Sequence, residues 1–188
     1  CDGKPKMEQR LRELQHMQDY TEEEWTELRA VYLAMCMKVD AQFGRLCDAL
    51  KKAGIYDDTA IFFLSDHGDF DGDYGIPEKA QNCFEECLVS VPFLVKPPKG
   101  MKLDPGVSDS LVELVDLYGT VMDFAGVTPD HTQFGKSLRP ILADRSVKLR
   151  EYTFCEGGRM PGEIHCDESH INGPNGSPPS FVYWPRQT

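Results

Sequence analysis

Basic residues are scarce in this chain. Its 188 residues hold 20 Lys and Arg against 31 Asp and Glu, a formal net charge of −11. With no cationic stripe to neutralise phosphates, neither nucleic acid nor an anionic membrane surface is an expected partner. Long apolar runs are lacking too. None approaches the roughly 20 residues needed to cross a bilayer, so no membrane span is expected. The leading residues, Cys1 to Lys6, carry no signal-peptide pattern. Internal repeats and Cys-x-x-Cys pairs are also missing. The seven cysteines (positions 1, 36, 47, 83, 87, 155 and 166) form an odd, irregularly spaced set, which reads as free, partly buried thiols in a reducing setting. Cys155, His165, Cys166 and His170 fit no zinc-knuckle spacing.

What the chain does have is alternating helical and strand patterns, in a length sufficient for one domain with a core. Thr21-Glu-Glu-Glu24 reads as a capping box. After it Trp25, Leu28, Tyr32, Met35, Val39, Phe43, Leu46 and Leu50 recur at steps of three or four, one stripe of a long amphipathic helix. Lys51 and Lys52 suit its negative end, and Gly54 stops it. Thr59 to Ser65 reads as a buried strand, and residues 66 to 80, with four aspartates and three glycines, as loop. A second apolar run covers 88 to 95, edge-like or bulged at Pro92. Residues 108 to 125 read as a helix with Leu111, Leu114, Val115, Tyr118, Val121 and Met122 inward, closed by Gly126. Residues 151 to 155 offer a short third strand, and a Gly/Pro/Ser/Asn-rich surface loop follows. The alternation predicts an α/β layer with a largely parallel sheet flanked by helices.

The chemistry concentrates where the first strand ends, at Asp66-His67-Gly68. Side chains of neighbouring strand residues point to opposite faces, so Asp66 and His67 can reach one ion only where the pleat has just ended. Gly68 supplies that ending, and open α/β sheets bind ligands at the carboxyl ends of strands. Taken alone, Asp-His-Gly is equally a good turn sequence. Asp69, Asp71 and Asp73 alternate like the start of an EF-hand loop, but Tyr74 and Ala80 break that pattern, which leaves them as solvated loop acids.

The order of motifs carries further information. Ser65-Asp-His-Gly68, Gly72-Asp-Tyr-Gly75, Lys79, Phe84-Glu-Glu-Cys87 and the run to Pro92 are followed by Asp116 to Gly126, then by Gly135-Lys-Ser-Leu-Arg-Pro-Ile-Leu142. Over about residues 24 to 158 this series resembles the sulfatase family of the alkaline phosphatase superfamily. Tyr74 stands where that pattern usually has histidine. Cys155-Glu-Gly-Gly-Arg159 lacks the Pro or Ala of the family's formylglycine motif and lies after the metal strand, so it is a false match.

The resemblance implies a fold, a site and a reaction. The fold is part of an alkaline-phosphatase/sulfatase-like sandwich, with residues 1–158 the C-terminal portion of a catalytic domain and 159–188 a loop-rich tail. Asp66 and His67 would ligate a divalent cation, Ca2+ in most members. The imidazole of His67 suits Mn2+ or Zn2+ better and keeps a phosphonate or phosphate ester hydrolase open as the alternative. Lys79 would contact the sulfate. The formylglycine nucleophile would lie upstream of Cys1, leaving this chain alone inactive. The expected substrate is a sulfated small molecule or carbohydrate, in a bacterial cytoplasmic or periplasmic setting. A member of the family without catalysis is a third reading. Self-association through surface exposed by truncation is a further expectation.

Overall fold

A computed structural model describes residues 3–4, 6–14, 16–79 and 83–155. The expected tail over 159–188 and the Cys155/His165/Cys166/His170 group, Cys155 apart, lie outside them. Described in chain order, the elements are α1 (Lys6–Leu14), a 3-10 turn (Met17–Asp19), α2 (Glu22–Lys52), β1 (Ile61–Leu64), a second 3-10 turn (Asp73–Gly75), α3 (Glu86–Val89), β2 (Phe93–Lys96), α4 (Asp116–Ala125) and α5 (Arg139–Ala143). They divide into two compact units. One holds the residues up to Val31 with Asp69–Cys83, and the other holds Tyr32–Gly68 with Phe84–Cys155.

Helix α2 begins as its sequence dictates. Thr21 N donates to Glu24 Oε2 at 2.8 Å and Glu24 N donates back to Thr21 Oγ1 at 3.3 Å, the reciprocal bonds of a capping box. It ends at Gly54, whose φ of +73° lets its amide reach the Lys51 carbonyl while Ile55 N reaches Leu50 O. Of the expected stripe, Trp25 is buried and Leu28, Tyr32, Phe43 and Leu50 are half-buried, whereas Met35, Val39 and Leu46 are exposed. A helical period reports which face is apolar, and coverage of that face depends on a partner element.

In the first unit, Phe70 and Ile76 are fully buried, with Leu11 and Trp25 in the same core. The second unit contains the strand pair. β1 and β2 run antiparallel, Ile61 opposite Lys96 and Leu64 opposite Phe93. The expectation of a largely parallel sheet is therefore not met among the described residues. The connection between the strands supplies no crossover helix. Among its described residues the helical pieces are the 3-10 turn Asp73–Gly75 and the four-residue α3, which leads the chain back alongside its origin. The expected strand over 88–95 also divides: its first residues belong to α3, and Pro92 stands just before β2, where its missing amide leaves no gap in the ladder. Lys96 Nζ ties the sheet to the preceding turn by donating to the carbonyls of Tyr56, Asp57 and Thr59.

Helix α4 departs from expectation twice. It starts at Asp116 rather than near Ser108, and its covered face is the polar one. Asp116, Gly119 and Thr120 are buried, while Leu111, Leu114, Val115, Tyr118 and Val121 are exposed. Hydrogen bonding explains the inversion. Asp116 Oδ1 accepts from Lys136 N at 2.7 Å, Thr120 Oγ1 accepts from Leu138 N at 3.0 Å, and Asp123 Oδ2 accepts from Ser137 Oγ and Arg139 Nε. Glycines let this strap approach: a β-carbon on Gly135 would lie 2.1 Å from the Val115 carbonyl oxygen. Residues 151–155 form no strand; Phe154 N instead donates to Glu113 Oε1.

Candidate functional site

The end of β1 is fixed by backbone contacts before any side chain is considered. Gly68 N donates to Leu88 O at 2.8 Å, and a β-carbon on Gly68 would fall 1.8 Å from the Cys87 carbonyl oxygen. Only glycine fits there. Ser65 Oγ donates to the His67 carbonyl at 2.6 Å, closing the turn from the other side. The strand end and α3 thus hold one another within the second unit.

On this turn Asp66 and His67 do come together. His67 N donates to Asp66 Oδ1 at 3.1 Å, and His67 Nε2 lies 3.7 Å from Asp66 Oδ2. The other ring nitrogen, Nδ1, is 2.8 Å from the Gly68 carbonyl. A carbonyl only accepts, so Nδ1 carries a proton and Nε2 is the ring nitrogen turned toward the carboxylate. A metal-ligating histidine is oriented in this way, its second nitrogen donating to a backbone carbonyl. The Asp66 side chain is 86% exposed and that of His67 is 40% exposed, so both donors are accessible. Among the described residues no group of three or more His, Cys, Asp or Glu side chains is arranged to hold a metal ion. The pair therefore fits as two corners of a coordination shell and falls short of a complete one.

Lys79 belongs to the other unit, exposed in the loop after the second 3-10 turn. That loop is unusual in its backbone. Asp71, Gly72, Tyr74 and Gly75 all have positive φ, and Arg29 Nε donates to the Asp71 carbonyl at 3.3 Å. Asp71 is not the solvated acid its spacing suggests. Its Oδ1 is buried without a hydrogen-bond partner among the described residues. Desolvation pushes its carboxyl up from the ordinary range, Arg29 opposes this, and Asp69 and Asp73 add to it. The sequence carried one signal of this departure, the glycine following Asp71, which permits a tight reversal over Trp25 and Arg29.

Among the described residues, the most heavily buried ionic group is one that sequence reasoning did not count as a site residue. Asp116 is fully buried and takes a bidentate contact from Arg150, at 2.5 and 2.6 Å, together with the Lys136 and Glu113 amides. Burial pushes its carboxyl up, but these bonds together outweigh burial and hold it below the ordinary carboxylate range.

The sulfatase family model matches residues 4–127. Mouse arylsulfatase K is 33% identical over 146 residues, 78% of this chain and 26% of its own length. N-acetylglucosamine-6-O-sulfatase of Bacteroides thetaiotaomicron is 38% identical over 112 residues, 59% of this chain and 19% of its own. Among solved structures, phosphonate monoester hydrolase from Silicibacter pomeroyi superposes with a TM-score of 0.60 at 33% identity, over 68% of this chain and 24% of that one. The chain thus spans about a quarter of the length of the curated relatives it matches. Animal and bacterial relatives both occur, so the expected bacterial origin has no support. No helix among the described residues is long and apolar enough to cross a membrane. With a single family model covering most of its length and these relatives agreeing, the chain belongs to the sulfatase family.

Proposed function

We propose that the whole protein hydrolyses sulfate esters of a small molecule or carbohydrate, with Asp66 and His67 as two ligands of a divalent cation and Lys79 contacting the sulfate. The observation that carries this reading is the oriented pair: His67 held by the Gly68 carbonyl so that its Nε2 lies 3.7 Å from Asp66 Oδ2. When bound, the cation would polarise the ester's oxygens as a Lewis acid. The chain's own residues have simpler tasks. Gly68 and Ser65 fix the turn, Asp66 brings negative charge, His67 brings a ring nitrogen, and Lys79 brings a compact positive charge to growing oxyanion character. Calcium is the family's usual ion, and manganese or zinc suits the imidazole better. A formylglycine nucleophile would come from outside these 188 residues.

A second reading, hydrolysis of phosphonate or phosphate esters, is favoured by the imidazole donor and by the likeness to a phosphonate monoester hydrolase. Turnover of paired aryl sulfate and aryl phosphonate substrates by the full-length protein separates the two, and a clear preference for the phosphonate would overturn the sulfatase reading. No turnover of either, together with no Cys or Ser formylglycine motif in the full-length sequence, would favour a family member without catalysis.

A further inference from the structure

Asp71 carries a carboxyl that its surroundings do not serve. The residue is half-buried, its Oδ1 is shut away from solvent, and no donor reaches that oxygen among the described residues. An ionised carboxylate only accepts and so needs donors, whereas a neutral carboxyl loses far less by entering such a place. Its backbone is constrained as well. Asp71 takes a φ of +46° and Gly72 one of +95°, which ties the direction of the side chain to the shape of the turn.

This turn has two anchored ends and a tip. Phe70 and Ile76 are fully buried, Gly72 N donates to Ile76 O at 2.9 Å, and Asp73 N donates to Phe70 O at 2.8 Å. Between the anchors the tip lies against α2. A β-carbon on Gly72 would meet Trp25 and Arg29 at 3.0 Å, and Arg29 Nε donates to the Asp71 carbonyl at 3.3 Å. Asp69 and Asp73 flank the Asp71 carboxyl on the turn, and Arg29 faces it from α2. From the N-terminal segment Arg12 packs against Gly75, and Lys4 lies over the Tyr74 ring. Desolvation, with the two aspartates adding to it, outweighs Arg29 and lifts the carboxyl above the ordinary range.

We propose that Asp71 is a pH-sensitive latch: with its carboxyl neutral the tip of the 70–76 turn stays packed on α2, and on ionisation the carboxylate leaves for water and loosens the tip. A folded value above the unfolded one of about 3.9 gives stabilisation that is complete below the unfolded value and is lost as pH rises through the folded value. Acid thus fastens this turn. The sign is the reverse of that at Asp116 and Asp123 in the other unit, which acid weakens. Lys79 follows in the same loop, so the latch acts on the segment that carries it.

The test is an NMR titration of the chain from about pH 8 down to about pH 4, where the other unit is still intact. The Asp71 carboxyl carbon should titrate above the ordinary aspartate range, and the Gly72 and Gly75 amides should follow the same midpoint. Their order parameters should fall on the alkaline side of it, while those of Phe70 and Ile76 hold. Asp71→Asn, neutral at every pH and tolerant of positive φ, should abolish the midpoint at the glycine amides and keep the tip ordered throughout. Arg29→Gln removes the opposing cation and should move the Asp71 midpoint up. A carboxyl titrating at or below the ordinary range, glycine amides that still titrate in Asp71→Asn, or order parameters unchanged across the midpoint would overturn the proposal. So would a midpoint that Arg29→Gln leaves in place. Should Asp71→Asn fail to fold by circular dichroism, the wild-type order parameters and the Arg29→Gln midpoint decide the matter. The sulfatase reading is judged separately, by aryl sulfate turnover of the full-length protein.

Discussion

Asp116 and Arg150, 34 residues apart, clasp each other through two parallel hydrogen bonds of 2.5 and 2.6 Å, with the carboxylate fully buried and the guanidinium nearly so. Glu113 stands 3.3 Å from the same guanidinium. The pair ties the start of α4 to the segment after α5, and the Lys136 amide joins it from the strap. Removing Asp116 leaves the buried guanidinium with Glu113 alone beside it and without its bidentate partner. Asp116→Ala is therefore expected to lower stability by about 3–5 kcal/mol, measured by urea unfolding. A loss below about 1 kcal/mol would show that water already shares the site.

The same carboxylate predicts an acid limit. Hydrogen bonds hold Asp116 below the ordinary range despite burial, and the side-chain bonds from Arg139 and Ser137 do the same for Asp123. A depressed folded value means stabilisation is present above the unfolded value near 3.9 and is lost as pH falls through the folded one. The melting temperature should thus fall steeply below about pH 4. Asp116→Asn should flatten that slope; an unchanged slope would remove Asp116 from the acid response.

Gly68→Ala should be severe for a residue with no side chain to lose. The added carbon meets the Cys87 carbonyl oxygen at 1.8 Å, and neither backbone can yield without breaking the Gly68–Leu88 bond. About 3 kcal/mol is expected, with the Asp66–His67 pair displaced as well. A neutral melting curve would mean that α3 moves freely relative to β1.

Asp66 and Lys79 should separate chemistry from folding in the full-length protein. Both are exposed, so Asp66→Ala and Lys79→Ala should barely shift the melting temperature. Asp66→Ala should lose metal and activity together. Lys79→Ala should raise the barrier by roughly 2–4 kcal/mol, about 10²- to 10³-fold in rate. Near-normal turnover would remove Lys79 from the site. By itself the present chain should bind calcium only weakly, since two ligands fall well short of the six to eight oxygens calcium takes. A sub-micromolar affinity by titration calorimetry would contradict this.

Exposed Val31, Leu33, Met35, Met37, Val39 and Leu46 on α2 predict that the chain associates with copies of itself. Light scattering at high concentration should show species larger than one chain. A strictly monomeric, sharply melting sample would count against it.

The sequence by itself determined whatever depends on neighbours in the chain. The Thr21–Glu24 box and the Gly54 stop of α2 are local, and hydrogen bonds within a few residues suffice to build them. The juxtaposition of Asp66 and His67 was legible for the same reason, as was the family, through the order of its motifs. Tertiary structure decided everything that required a distant partner. The direction of β2 against β1 was set by a connection whose described helical pieces are each a single turn. Helix α4 buried its polar face because Asp116, Thr120 and Asp123 found donors at 136–139, and no apolar period announces such a partner. Arg12 and Asp71 became partly desolvated through contacts from remote segments, Arg12 against Gly75 and Asp71 beneath Arg29. Periodicity names the face of an element that prefers to be dry. Which face is actually covered follows from the backbone and side-chain donors that the rest of the chain brings to it.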